Sequence, residues 1–253
     1  MSSDEFDGVV VLVTGAGSGI GRAMTQEFAA RGARLGVVDI DGDAAERTLC
    51  ETGARGVALA CDVSDASQVQ TAVATVLQAY GRVDVLCNNA GILDDYRNAL
   101  DTQDELWHRI IAVNLTGQYL LAKHVLPTMI SRGSGAIVNT ASIAAHVAGG
   151  GGTAYTVAKH GVLGLTRQLA FDFGAKGVRV NALCPGAVAS AMSAHLRTPG
   201  GGNEHVSAII DGTPAGRWGA PAELAKVAAF LASNDASFLH GSAVTADGGW
   251  TLA

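Results

Sequence analysis

Residues 11–23, VLVTGAGSGIGRA, decide the fold: a strand, a glycine-rich turn and the opening of a helix follow without a break. VVVLV (9–13) is apolar throughout, as a strand covered on both faces should be. Gly15, Gly17, Gly19 and Gly21 allow positive φ and leave room for a ligand against the backbone. In GRAMTQEFAARG (21–32), Met24, Phe28 and Ala29 share one side, and Gly32 stands where a helix end favours glycine. The free N–H groups and partial positive charge of such a helix N-terminus suit a pyrophosphate. Strand, glycine turn and helix in this order predict a dinucleotide site at the start of a βαβ unit. A tight structural turn would account for the glycines alone.

Working outward, β-type runs recur at RLGVVDI (34–40), GVALACDV (56–63), VDVLCNN (83–89), GAIVNTAS (135–142), VRVNALCPG (178–186) and SAVTADGG (242–249). Helical spacing fills the gaps at 66–81, about 103–131, about 154–174 and 221–233. Strand and helix alternate about six times before a last strand. The expectation is α/β: a single doubly wound domain over 1–253, with a parallel sheet of about seven strands and helices on both faces. The least regular stretch, 187–216, contains RTPGGGNEH (197–205), which no helix tolerates, and is the candidate substrate lid.

Composition narrows the function classes. Of 253 residues, 48% are hydrophobic and 16% charged, so helix faces buried between subunits as well as a large core are expected. The net charge of -6 and the absence of any Lys/Arg run argue against nucleic acid as a partner. No apolar run approaches the roughly 20 residues of a membrane span, and MSSDEFDG lacks a signal core, so no membrane association and a cytoplasmic location are expected. Cys50, Cys61, Cys87 and Cys184 are widely spaced, with no metal-ligand pattern; no metal is expected.

Asp39 ends the second strand, 18 residues past Gly21, near the separation at which an acid hydrogen-bonds an adenosine ribose. A carboxylate there repels a 2′-phosphate, no basic residue adjoins it, and position 18 in the loop is Ser rather than a basic residue. NAD is expected rather than NADP. The alternative is that Asp39 and Asp41 only open a solvated turn.

AYTVAKHG (154–161) puts a tyrosine and a lysine one helical turn apart. A phenol titrates near 10; an ammonium beside it should lower that value and make Tyr155 a proton donor and acceptor at working pH. Ser142 ends a strand at the edge where an open α/β sheet places its site, and its hydroxyl can hydrogen-bond a substrate oxygen. Separately, a Tyr/Lys pair suits a solvated helix face and a strand-end serine suits a cap.

TGAGSGIG (14–21), NNAG (88–91), Asn114, Ser142, Tyr155-x-x-x-Lys159, PG (185–186) and DGG (247–249) occur in this order. On these motifs the whole chain resembles the short-chain dehydrogenase/reductase family. The resemblance implies a Rossmann-type domain and NAD-dependent hydride transfer between nicotinamide and a small secondary alcohol or ketone. It implies a catalytic set of Asn114, Ser142, Tyr155 and Lys159. Tyr155 exchanges the proton, Ser142 orients the oxygen, Lys159 lowers the phenol pKa and binds the nicotinamide ribose, and Asn114 helps hold a water linking Lys159 to solvent.

For the cofactor it implies contacts from Gly15, Ser18, Gly19, Ile20 and Gly21 in the turn and from Asp39 and Ile40. Asp62 and Val63 would line the adenine; Asn89, Ala90 and Gly91 would pack nearby; and Pro185, Gly186, Val188, Ser190 and Met192 would meet the nicotinamide with Tyr155 and Lys159. Asp62 could instead be a turn cap. AAHVAGGGG (144–152) would wall the pocket, leaving room for a bulky or cyclic group, with His146 either touching substrate or incidental.

The resemblance also implies a homotetramer, with a dimer as the lesser assembly, through the helices at 103–131 and 154–174. Two other readings remain. One is an NADPH-dependent 3-oxoacyl-carrier-protein reductase, against which stand Asp39 and the Phe171–Asp172 pair, where a basic residue would be expected. The other is a non-catalytic NAD-binding scaffold, in which one of the four polar site residues would tend to be lost. Enoyl reductases of this fold space Tyr and Lys more widely.

Overall fold

A computed structural model describes residues 5–197 and 210–252. Seven parallel strands form one sheet: β1 (Val10–Thr14), β2 (Arg34–Asp39), β3 (Gly56–Ala60), β4 (Val85–Asn88), β5 (Gly135–Thr140), β6 (Val178–Pro185) and β7 (Ala243–Ala246). Their order is β3-β2-β1-β4-β5-β6-β7. The chain winds outward from β1 in one direction and returns to β4 for the other, so a crevice opens above the carboxyl ends of these two strands.

The helices are α1 (Gly19–Ala30), α2 (Gly42–Thr52), α3 (Ala66–Tyr80), α4 (Asp104–Ile111), α5 (Gly117–Arg132), α6 (Thr153–Phe173) and α7 (Pro221–Ala232). Strand side chains alternate between faces. Val11 and Val13 of β1 join one core cluster with Met24 and Phe28 of α1, Ala45 of α2 and Leu224 of α7. Val10 and Leu12 join the opposite cluster with Val73 of α3, Val125 of α5 and Leu169 of α6. Both faces are covered, which is why the strand sequences are apolar runs rather than alternating ones.

Three details differ from the sequence reading. The third strand stops at Ala60, because Cys61, Asp62 and Val63 leave the sheet to line the crevice. Helix α2 was not anticipated; Ala45 and Thr48 are its only buried positions, too few for a clear apolar stripe, and Asp41 caps it by accepting from the Ala44 N–H at 3.0 Å. The expected helix over about 103–131 is two α-helices joined by a π-helical turn at Ala112–Thr116. Such a turn re-aims side chains within a helix and is frequent at functional sites; this one contains Asn114. Of the expected lid, residues 198–209 lie outside the described residues. No described helix is long and apolar enough to cross a membrane.

Candidate active site

The crevice is a cleft of about 330 Å³ running from Asp39 and Ile40 at one end to Ser142, Tyr155 and Trp218 at the other. It follows the strand ends, so each wall is set by where a strand stops.

The Asp39 end is built from the glycine turn. Gly15 has φ 62°, and a Cβ there would lie 2.8 Å from Ala90 Cα. This close approach locks the turn to the residues after β4. The Asn89 amide donates to the Thr14 and Gly15 carbonyls at 3.1 and 3.3 Å, and Thr14 Oγ1 accepts the Asn89 and Ala90 N–H groups at 3.0 and 3.1 Å. Ser18 stands at the N-cap of α1 without bonding it, and no acidic residue occupies the first turn, so those N–H groups and their partial charge face the cleft. The Asp39 carboxylate accepts from Gly17 N–H at 2.8 Å and Asp41 N–H at 3.0 Å. It is thus held at the rim by backbone alone, with acceptor capacity to spare for a hydroxyl. A helix terminus for a pyrophosphate, a carboxylate for a ribose diol and a turn with no room for a side chain fit a dinucleotide.

Asp62 both lines the cleft and braces its own turn: Oδ1 accepts the Ser64 N–H and hydroxyl at 2.9 and 2.6 Å, and Oδ2 meets Arg109 of α4 at 2.9 Å. These contacts hold its carboxyl below the usual range against the opposing effect of burial.

At the other end Ser142 follows β5 and Tyr155 and Lys159 face inward from α6. All three are buried, at 7, 8 and 3% exposure, so any charge change there occurs away from bulk water. The Lys159 Nζ donates to the Thr140 carbonyl at 2.8 Å and sits 5.4 Å from the Tyr155 ring centroid. The ammonium therefore lies over the ring, with its hydrogen bond spent on the Thr140 carbonyl. The expected lowering of the Tyr155 pKa does not appear: among the protein's own groups, burial dominates and pushes the phenol up to about 12, with Tyr96 and Asp94 adding to the rise and the Ser142 hydroxyl bond opposing it. Burial likewise pulls the Lys159 amine down to about 8. One turn of helix brings the two residues together, but burial, not their proximity, sets the direction in which each is displaced.

Asn114 is fully buried and does not line the cleft. Its Oδ1 accepts the Ile92 N–H at 2.8 Å and its amide donates to the Ile92 carbonyl at 2.9 Å, pinning the segment after β4. It is nevertheless next to Lys159: a Cβ on Gly91 would lie 2.9 Å from Asn114 Oδ1 and 3.8 Å from Lys159 Nζ. Gly21 also stands back from the cleft, packed against the Gly15 carbonyl. The other residues expected at the cofactor and catalytic site all line the cleft: Gly15, Ser18, Gly19, Ile20, Asp39, Ile40, Asp62, Val63, Asn89, Ala90, Gly91, Ser142, Tyr155, Lys159, Pro185, Gly186, Val188, Ser190 and Met192. His146 is exposed and is not part of the wall; of its loop, Gly150 is.

The family model described as "Enoyl-(Acyl carrier protein) reductase" matches residues 15–251. D-threitol dehydrogenase of Mycolicibacterium smegmatis is 40% identical over 251 residues, 98% of this chain and 94% of that protein. Galactitol 2-dehydrogenase (L-tagatose-forming) of Cereibacter sphaeroides is 40% identical over 250 residues, 98% of this chain and 96% of that one. The crystal structure of levodione reductase superposes with a TM-score of 0.92 at 36% identity, covering 98% of this chain and 99% of that chain. The chain belongs to the short-chain dehydrogenase/reductase family.

Within this family member, several cleft residues escape a sequence reading. Tyr96, Arg109, Thr140, Trp218 and Trp250 all line the cleft. Only the tryptophans left a signal: two of the chain's 3 lie in the irregular C-terminal third. Thr140 Oγ1 is buried with no partner although it borders the cleft, and its carbonyl is already shared by Lys159 and Gln118.

Proposed function

We propose that this protein is an NAD-dependent oxidoreductase that interconverts a secondary alcohol and its ketone, with Tyr155 as the general acid and base. The observation that carries the reading is a buried phenol with an anchored lysine over its ring and Ser142 on the same wall, in a cleft whose far rim is the Asp39 carboxylate. The relatives' names support alcohols as the substrate class. The enoyl description of the family model fits less well, because Tyr155 and Lys159 are one turn apart. Asp39, held by two backbone N–H groups, favours NAD over NADP and so disfavours the carrier-protein reductase reading.

Ser142 hydrogen-bonds the reacting oxygen and holds it beside Tyr155. With its pKa raised, Tyr155 keeps its proton at neutral pH and is set to donate it to a forming alkoxide. In the oxidative direction the phenolate accepts the alcohol proton. Lys159, tied to Thr140 and lining the cleft, would hold the nicotinamide ribose. When bound, the nicotinamide supplies or takes up the hydride and, when oxidised, adds positive charge that favours the phenolate. Tyr96, Trp218 and Trp250 give the cleft aromatic walls that suit a ring-bearing substrate.

The exposed Tyr119 and Val157 on α5 and α6 support assembly into a homotetramer through these helices. A panel of cyclic and acyclic secondary alcohols and ketones, run with NAD and NADP side by side, tests the reading. Turnover with NAD on at least one member is expected. A folded, NADH-binding protein inactive on every member, or one that prefers NADP, overturns it.

A further inference from the structure

Gly152 is the N-cap of α6 and has no side chain with which to cap it. A helix of 21 residues opening beside the reacting phenol would leave its first N–H groups unpaired in a buried place. The missing acceptor comes from elsewhere in the chain. Asp94, fully buried in the segment after β4, accepts the Gly152 N–H with Oδ1 at 2.8 Å and the Tyr155 N–H with Oδ2 at 2.9 Å. The Arg97 carbonyl takes the Thr153 N–H at 2.9 Å, and Arg97 N–H bonds back to the Asp94 carbonyl at 3.2 Å.

The fit admits little else. A Cβ on Gly152 would lie 2.6 Å from Asp94 Oδ2 and 2.5 Å from the Arg97 carbonyl oxygen. Between these contacts, Asp95 and Tyr96 adopt φ 52° and 59°, a left-handed conformation that aspartate tolerates and that is costly for a side chain as bulky as tyrosine. A strained turn held in place by a buried carboxylate, and aimed at one helix end, implies that its position matters.

Resting on the proton-transfer role given above to Tyr155, we propose that Asp94 is the positioning residue of the acid–base tyrosine. It caps α6 from outside the helix, fixes the Tyr155 backbone, and adds a negative charge beside the phenol. The titratable groups around this corner are Asp94, Asp95, Tyr96 and Arg97 on the turn, Lys159 on α6, and Cys184 on β6 against Lys159. Of these, Asp94 bonds directly to the Tyr155 main chain. Burial is the main cause of the raised phenol pKa, and the Asp94 charge acts in the same direction as a smaller addition.

The test compares Asp94→Asn, Asp94→Glu and Tyr155→Phe in the full-length protein. Active sites are counted by NADH titration, so that a loss of folded protein is not mistaken for a loss of turnover. Asp94→Asn keeps the shape but loses the charge and one acceptor. Per titrated site, kcat should fall about 10-fold to 100-fold, as expected for a small displacement of a reacting group, with KM changing far less. The pH limb assigned to Tyr155 should move to lower pH. Asp94→Glu keeps the charge but displaces the oxygens; it should lose turnover while the limb stays in place. A cap with a purely structural role would lower Tm and leave kcat per site and the pH limb of both variants as in wild type; that result overturns the proposal. If Asp94→Asn does not accumulate as folded protein, Asp94→Glu decides alone, wild-type kcat sinking the proposal. Tyr155→Phe separates the two claims: if it stays active the acid–base reading itself is wrong, whereas an inactive Tyr155→Phe beside a wild-type-like Asp94→Asn removes only the role of Asp94.

Discussion

The two ends of the cleft carry acids of opposite character. Asp39 sits at the rim, its oxygens bonded to N–H groups from the adjoining turns. Tyr155 is buried at the other end, its acidity displaced to about 12 by the loss of water around it. On the proposed reading, the first end would recognise the cofactor with a permanent charge and local backbone. The second would change charge during the reaction, and it is assembled from β5, α6 and the segment after β4. Recognition can be built from neighbours in sequence, whereas proton transfer here needs groups brought from far apart into a dry site.

The largest expected effect that would break this contrast is at Tyr155. Tyr155→Phe keeps the ring over Lys159 and removes only the exchangeable proton. Turnover should fall about 10²-fold to 10⁴-fold, the usual reach of general acid–base catalysis, while NADH binding, read by fluorescence titration, stays within about twofold. If binding and turnover fell together, the two ends would not be separable and the comparison would fail.

At the other end, Asp39→Asn should act on the cofactor and not on the chemistry. Losing a charge-assisted hydrogen bond weakens NAD binding about 10-fold to 100-fold, and removing the repulsion should bring NADP closer to NAD. Paired titrations with NADH and NADPH, followed by kcat at saturating cofactor, give both numbers. A variant that binds NADH normally but turns over slowly would contradict the division of labour.

The contrast also marks what was legible in the sequence. The glycine turn and Asp39 belong to one βαβ unit, so their spacing alone was enough to expect them together, and they line one end of the cleft. At the chemical end, Ser142 and the Tyr155–Lys159 pair were visible because a strand end and an i, i+4 helical pair are local patterns. Three things were not. Asp94 reaches Gly152 and Tyr155 across about 60 positions, and no periodicity announces such a contact. The π-helical turn that contains Asn114, AVNLT, has no proline or glycine within it to mark it. The direction of the Tyr155 pKa depends on burial, which the spacing to Lys159 does not carry: adjacency alone predicts a lowered phenol, and the packed structure buries it instead.

The smallest effect sharpens that last point, because the buried amine should leave a trace in stability. Lys159 titrates near 8 in the folded chain against an ordinary 10.5. Between these values the unfolded chain holds the extra proton, so this residue makes stability rise with pH, the cost of burying its charge being present below 8 and gone above 10.5. Cys61, Cys87 and Cys184 oppose it: burial raises them from 9.0 to about 11, 12 and 11, and a group that keeps its proton longer when folded loses stability as pH climbs through that range. Tyr155, raised from 10.0 to about 12, adds to the opposition only above 10. The raw pH dependence of Tm therefore mixes signs, and the lysine is isolated as a difference. Wild type minus Lys159→Met, measured by thermal melts without cofactor from about pH 7.5 to about pH 10, should grow steadily toward the alkaline side. A flat difference would mean that the amine keeps its ordinary pKa in the folded chain, and that the chemical end of the cleft is wetter than its burial indicates.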